Sequence, residues 1–368
     1  MTAGRMNQRW LVSHAENTNF LKSREWPWLH NLKNGATLTG MSVAIQTNNL
    51  SKVYKVHKKE PGLKGSLASL FHRQYTIVEA VKTINLTINE GELVGFIGPN
   101  GAGKTTTLKM LSGLLYPSTG EARVLGFVPQ ERKKEFLTQF SLIMGQKAQL
   151  WWDLPLYDSL LLQKDVYELS DEAFKANLKE LRELLDLDEF LKIQVRKLSL
   201  GQRMRGELAA ALIYHPKVLF LDEPTIGLDV VVQQKIREFL LQYQQKYNAT
   251  IILTSHYLDD VRELCKRVIM IDHGNVVFDG ATDDLIAKHV DHKRIALTFS
   301  KPVKTADLEQ YGKVVTAADQ QAVLHVVRAE TGAVAARLLK DLPIRDISIE
   351  DPSLEDVVRE LFTKRDYA

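Results

Sequence analysis

Two short stretches hold the residue types that phosphate chemistry needs: GPNGAGKT at 98–105 and VLFLDEPT at 218–225. In the first, Gly98, Gly101 and Gly103 let the backbone curl so that successive N–H groups face one point. Pro99, Asn100 and Ala102 complete the loop. Lys104, Thr105 and Thr106 open the helix that follows, whose N-terminus adds partial positive charge. The spacing G-x-x-x-x-G-K-[ST] after a strand is that of a triphosphate cradle: Lys104 reaches the β/γ-phosphates and the Thr105 hydroxyl suits Mg²⁺. In the second stretch four apolar residues run into Asp222 and Glu223. Asp222 is placed for a Mg²⁺ shell, and Glu223 for orienting or activating an attacking water. Acidic residues after a buried strand also cap helices; the phosphate loop in the same chain favours the chemical reading.

Elements of matching period must hold these residues. KTINLTI alternates apolar and polar with period two, as a half-buried strand does. ELVGFIG, FSLIMG (140–145), VLFLD (218–222), TIILTS (250–255) and RVIMID (267–272) are short β-branched runs that read as buried strands. Helical patterns separate them, and two or three amphipathic helices fill 156–192. The fold class is therefore α/β: a mostly parallel sheet covered on both faces, with an antiparallel β portion and an inserted helical subdomain at about 147–200. The unit spans 41–290. Beyond it RIALTFS, AVLHVVR and IRDISIE alternate with helical stretches, giving a small α+β domain over 291–368.

Between the two chemical motifs lies KLSLGQRMRGELAAAL (197–212), and further on come GLD (227–229) and TSH (254–256). With GPNGAGKT and VLFLDEPT, in that order, the sequence resembles the ATP-binding subunits of ABC transporters over about residues 43–285. The resemblance implies a P-loop NTPase that binds and hydrolyses ATP with Mg²⁺. It implies that LSLGQ is the signature segment: Ser199, Gly201 and Gln202 open a helix aimed at ATP on a second subunit. Leu200 replaces the family's usual glycine, so either φ is negative there or the turn is slightly altered. Gln146 matches the Q-loop glutamine that links the Mg²⁺ site to the helical insert, because Leu150 and Leu154 follow it at the family's spacing. Asp229 matches the D-loop, His256 the switch histidine, and Tyr54 the aromatic that stacks on adenine. Tyr54 also reads as an ordinary strand-end tyrosine, and Gln146 as a surface loop glutamine.

The same resemblance implies two ATPase subunits, identical or paralogous, sandwiching ATP and working with a separately encoded integral-membrane permease at the cytoplasmic membrane surface. The expected location is the cytoplasmic face of the cell membrane. Within the family the chain is similar to exporter ATPases of the viologen-exporter-like and daunorubicin-exporter-like kind. An importer subunit is the alternative, and a non-transport ATPase acting on nucleic acid or ribosomes a remoter one. Trp151 and Trp152 are read as anchors for the permease, or else as packing within the helical subdomain.

Net charge is +3 with one cysteine, Cys265. The positive charge sits in residues 1–40 and 55–78, leaving the rest mildly acidic, so no nucleic acid partner is expected. No apolar run approaches the length of a membrane span. Residues 1–40 read as a poorly ordered extension, with Met41 an alternative start. The basic insertion 55–78 contains Leu63, Leu67, Leu70 and Phe71 on one helical face. That face is read as an interfacial helix beside the permease, or else as a solvated loop packed on the ATPase. Comparable insertions occur in O-antigen and teichoic-acid exporter ATPases.

Overall fold

The computed structural model describes residues 42–57, 75–145, 149–255, 257–289, 291–352, 354–358 and 361. The extension read over 1–40, the amphipathic face at 63–71, Gln146 and His256 lie outside the described residues.

Among the described residues three sheets carry the fold. The first is antiparallel. Strands β1 (Val43–His57) and β2 (Tyr75–Asn89) pair along their length, and β4 (Thr119–Val124) joins the other edge of β1. In β2 the alternation read from KTINLTI is realised: Ile84, Leu86 and Ile88 are buried and the residues between them exposed. The second sheet runs β5-β6-β7-β3-β8-β9. Strands β3 (Leu93–Ile97), β5 (Phe140–Met144), β6 (Val218–Asp222), β7 (Thr250–Thr254) and β8 (Arg267–Asp272) are parallel; β9 (Asn275–Ala281) is antiparallel to β8. Every residue of β6 and β7 is buried, as a central strand covered on both faces demands. FSLIMG differs from its sequence reading. β5 is an edge strand with alternate residues buried, because only β6 pairs with it.

Helix α1 (Lys104–Leu111) follows β3, and a short α2 (Lys134–Leu137) precedes β5. Two helices fill the insert, α3 (Leu156–Val166) and α4 (Asp171–Leu185). α4 is capped by the Ser170 hydroxyl and buries Phe174, Leu178, Leu181 and Leu185, one stripe of a 3.6-residue period. α5 (Leu200–Leu212), α6 (Val230–Tyr247), α7 (Leu258–Leu264) and α8 (Thr282–His289) complete this part. One apolar core, with Phe96, Leu108 and Phe220, lies between the antiparallel sheet, α1 and the main sheet. Another joins the main sheet to α3, α4, α5 and α6.

Strands β10 (His292–Phe299), β11 (Lys313–Ala318), β12 (Gln321–Val327) and β13 (Ile344–Glu350), with α9 (Thr305–Leu308) and α10 (Thr331–Asp341), form a β-α-β-β-α-β unit of strand order β11-β12-β10-β13. That is the ferredoxin-like arrangement. Its own core includes Ile295, Leu297, Phe299, Leu324 and Leu338. The sequence reading did not anticipate β9, which has no buried residue, or β11, whose residues are mostly exposed; both lack a clear apolar alternation. After β13, Leu354, Val357 and Val358 join the same apolar cluster as Leu285 of α8, tying residues 354–358 to the large core.

Candidate functional site

Strand β7 lies between β3 and β6. The C-terminal ends of three neighbouring parallel strands therefore present the phosphate loop, the acid pair and Thr254 with Ser255 along one edge, the position where open α/β sheets bind ligands.

The loop is held by its backbone. Ala102 N–H donates to Pro99 O at 3.2 Å, and Gly274 N–H donates to Ala102 O at 3.0 Å. Asn100 and Gly101 are exposed, whereas Ala102, Gly103 and Lys104 are buried. Gly103 sits at φ +110, and a Cβ there would meet the Ala80 carbonyl of β2, so only glycine fits. Lys104 opens α1 with its ammonium donating to Gly98 O (2.7 Å) and Pro99 O (3.1 Å). Burial lowers its pKa, and the carboxylates of Glu223 and Asp222 oppose that shift. Thr106 follows in the first turn of α1.

Asp222 ends β6 and is 9% exposed. Its Oδ2 accepts from Thr105 Oγ1 at 2.7 Å and its Oδ1 from Thr254 Oγ1 at 2.7 Å. The acid is thereby fixed between the phosphate-loop helix and β7. A hydroxyl and a carboxylate side by side form an all-oxygen donor set, which suits a hard divalent cation such as Mg²⁺. Glu223 follows at φ +57, an unusual left-handed backbone for a non-glycine. Its N–H donates to both Thr254 O and Thr254 Oγ1 at 3.1 Å. That turn aims consecutive carboxylates differently, and the strain is held by its neighbours.

Ser199 caps α5. Its hydroxyl accepts from Gln202 N–H (3.2 Å) while Gln202 Oε1 accepts from Ser199 N–H (3.0 Å), a closed capping box. Leu200 stands at the first helical position with negative φ; its side chain is 40% exposed. A Cβ on Gly201 would lie 3.2 Å from Val232, so glycine lets α5 approach α6 closely. Asp229 caps α6, accepting from Val232 N–H at 3.0 Å. Tyr54 lies on β1 opposite Val78, two residues from the Ala80 that touches Gly103, and Lys52 Nζ stands 5.4 Å above its ring. Trp151 and Trp152 are 61% and 52% exposed, so neither is buried in the helical subdomain. The structure thus brings the loop, Asp222, Glu223 and the segment before His256 together. Ser199 and Gln202 cap α5 of the same chain.

Three residues escaped the sequence reading. Thr254 holds both acids. Asp260, fully buried on α7, accepts from Thr225 Oγ1 (2.5 Å) and Ser255 Oγ (2.9 Å) and pairs with Arg237 at 2.9 Å. It joins the strand-end turn after Glu223 to the residue before His256. An acid four positions after TSH was the available signal. Glu207 of α5 is the third.

A glycine loop opening a helix beside strand-end carboxylates, on a mostly parallel sheet, defines a P-loop nucleoside triphosphatase. Residues 81–226 match the ABC transporter family, and residues 291–350 match the EvrA-like ABC transporter C-terminal domain. The chain is 34% identical to the ABC transporter ATP-binding protein NatA of Bacillus subtilis, over 58% of this chain and 87% of NatA. It is 30% identical to the methionine import ATP-binding protein MetN 2 of Enterococcus faecalis (65% and 69%). It is 35% identical to the Nod factor export ATP-binding protein I of Burkholderia lata (62% and 74%). Its fold superposes on the dimeric, ADP- and Pi-bound ATP-binding cassette MJ0796 with a TM-score of 0.54 and 24% identity, over 64% of this chain and 98% of that one. The chain belongs to the ATP-binding subunits of ABC transporters, and it is an ATPase.

Proposed function

We propose that this chain powers export of a small or lipid-like molecule through a separate permease, by ATP-driven closure of two ATPase subunits and reopening on hydrolysis. The observation that carries the reading is the juxtaposition of Thr105, Asp222, Thr254 and Glu223 at the mouth of the phosphate loop. Export is favoured by relatives named for it, such as the Nod factor export protein, while MetN 2 supports import as the second reading. Among the described residues no helix is long and apolar enough to cross a membrane, consistent with attachment through a partner at the cytoplasmic face.

In this reading the loop backbone from Gly98 to Gly103 and the Lys104 ammonium hold the triphosphate, with Tyr54 under the adenine. Thr105, Asp222 and Gln146 would hold Mg²⁺, which when bound neutralises phosphate charge. Glu223 takes the proton of the attacking water, and His256 donates to the developing charge on the departing phosphate. Ser199 and the N-terminus of α5 complete the site of a second copy, with Asp229 at the seam, so hydrolysis waits for closure. Trp151 and Trp152 supply the apolar anchor for the permease.

Glu223→Gln tests the chemistry. The variant should keep ATP binding, lose turnover and accumulate as an ATP-held dimer visible by sedimentation. Wild-type-like phosphate release would sink the assignment.

A further inference from the structure

Glu207 lies in the middle of α5 and is 4% exposed. Its carboxylate does not cap its own helix. Oε1 and Oε2 accept from Gln149 N–H at 3.0 and 2.9 Å, and Oε1 lies 3.4 Å from Leu150 N as a further acceptor. Those two N–H groups belong to the segment that carries Trp151 and Trp152. Gly206 beside it makes the approach feasible: a Cβ there would come within 2.9 Å of Leu156 and 3.1 Å of Leu150. Arg203, one turn earlier on α5, stands 5.5 Å from the Trp152 ring.

The other side of the segment is stitched to residues 191–197. Val195 N–H donates to Leu154 O, Arg196 N–H to Trp152 O, and Tyr157 N–H to Leu191 O. Its near end is fixed to the acid pair: Gly145 N–H donates to Asp222 O at 2.8 Å. Only three residues, 146–148, separate that anchor from the Glu207 anchor. The loop is thus pinned at one end to the Mg²⁺-side acid and at the other to the helix whose N-cap is Ser199.

We propose that Glu207 is a positioning residue that locks the Trp151–Trp152 surface to α5, so that displacing the one displaces the other; the inference rests on the closure cycle above. The buried Leu150 N–H and the part-buried Gln149 N–H both donate to this one carboxylate, and removing it takes away the shared acceptor that fixes the segment to α5. The signature helix and the exposed tryptophans would then move independently.

The test uses the full chain with Glu223→Gln to hold the closed form, and Trp10, Trp26 and Trp28 replaced by phenylalanine so that only Trp151 and Trp152 emit. ATP with Mg²⁺ is added, and dimer formation and tryptophan emission are read together. With Glu207 intact both should respond. Dimerisation should persist in both variants, while the emission change falls at least about fivefold in Glu207→Ala and by a smaller factor in Glu207→Gln, which keeps one acceptor oxygen. An undiminished emission change in either folded variant overturns the coupling role. So does a parent that dimerises without any emission change. A parent that neither dimerises nor responds overturns the closure reading itself, and this inference with it.

Discussion

Thr105 Oγ1 donates to Asp222 Oδ2 at 2.7 Å, closing 117 residues of sequence into one contact. The other carboxylate oxygen accepts from Thr254, so Asp222 is held from two elements. Asp222→Asn keeps both hydrogen-bonding positions: Oδ1 still accepts from Thr254, and the new amide can donate to Thr105. The fold should survive while the charge is lost. We expect kcat to fall by about a hundredfold or more, with Mg²⁺ dependence shifted to higher concentration, and melting temperature little changed. Steady-state ATPase assays across a Mg²⁺ titration check this.

Gly103 allows a sharper test of the loop. Its positive φ and the Ala80 carbonyl both exclude a side chain. Gly103→Ala should cost on the order of 2 kcal/mol from the backbone alone, and displace β2 from the loop. Equilibrium denaturation should show the loss, and nucleotide binding should weaken with it.

The loop and the acid pair were legible because their chemistry is local: glycine spacing, an apolar strand, then carboxylates. The central strands VLFLD and TIILTS were legible because burial on both faces removes polar alternation. β11 was not, since strand KVVTAA lies at the edge of its sheet and exposes most residues. Asp260 and Glu207 were hidden for a different reason. Each sits in a helix where an acid usually faces water, and only the tertiary fold shows what it accepts from. The same holds for Thr254, whose hydroxyl meets Asp222 only because β6 and β7 are neighbours in register.

Asp260 predicts a strong effect away from the reacting atoms. Its carboxylate serves Thr225, Ser255 and Arg237 at once, and Arg237 is itself buried. Asp260→Ala leaves two hydroxyls without this acceptor and Arg237 with the half-exposed Glu263 carboxylate and the Gln234 amide oxygen. We expect a loss of about 3–5 kcal/mol by chemical denaturation. Asp260→Asn should cost less in stability yet still lower kcat, because the residues before His256 and after Glu223 lose their shared anchor.

Trp151 and Trp152 predict the opposite pattern. More than half of each is exposed, and truncation removes the Arg203 contact with Trp152. Alanine at both positions should change stability by no more than about 1 kcal/mol. Recovery of a permease with the tagged chain from native membranes should nevertheless drop sharply. Unchanged recovery would remove these residues from the docking surface.

Glu207 separates stability from coupling through pH. Burial raises its pKa, outweighing the Gln149 and Leu150 N–H groups and the Arg203 charge. The folded chain therefore binds this proton more tightly than the unfolded chain does. Ionising Glu207 in the folded state carries a penalty that is absent below the ordinary glutamate range. The penalty grows as pH rises from that range through the raised folded value, and it is constant above. Its slope between the two is at most about 1.4 kcal/mol per pH unit. Glutamine carries no such charge. Its lost acceptor is a fixed offset that does not vary with pH. The stability of Glu207→Gln relative to the parent should therefore improve from about pH 4 upward and then level off. Melting curves of the two proteins over that range give the slope directly. A difference independent of pH would mean that Glu207 is not desolvated as its burial implies. A rising difference together with a lost tryptophan response would show an acid kept at a cost in stability for the link between loop and helix.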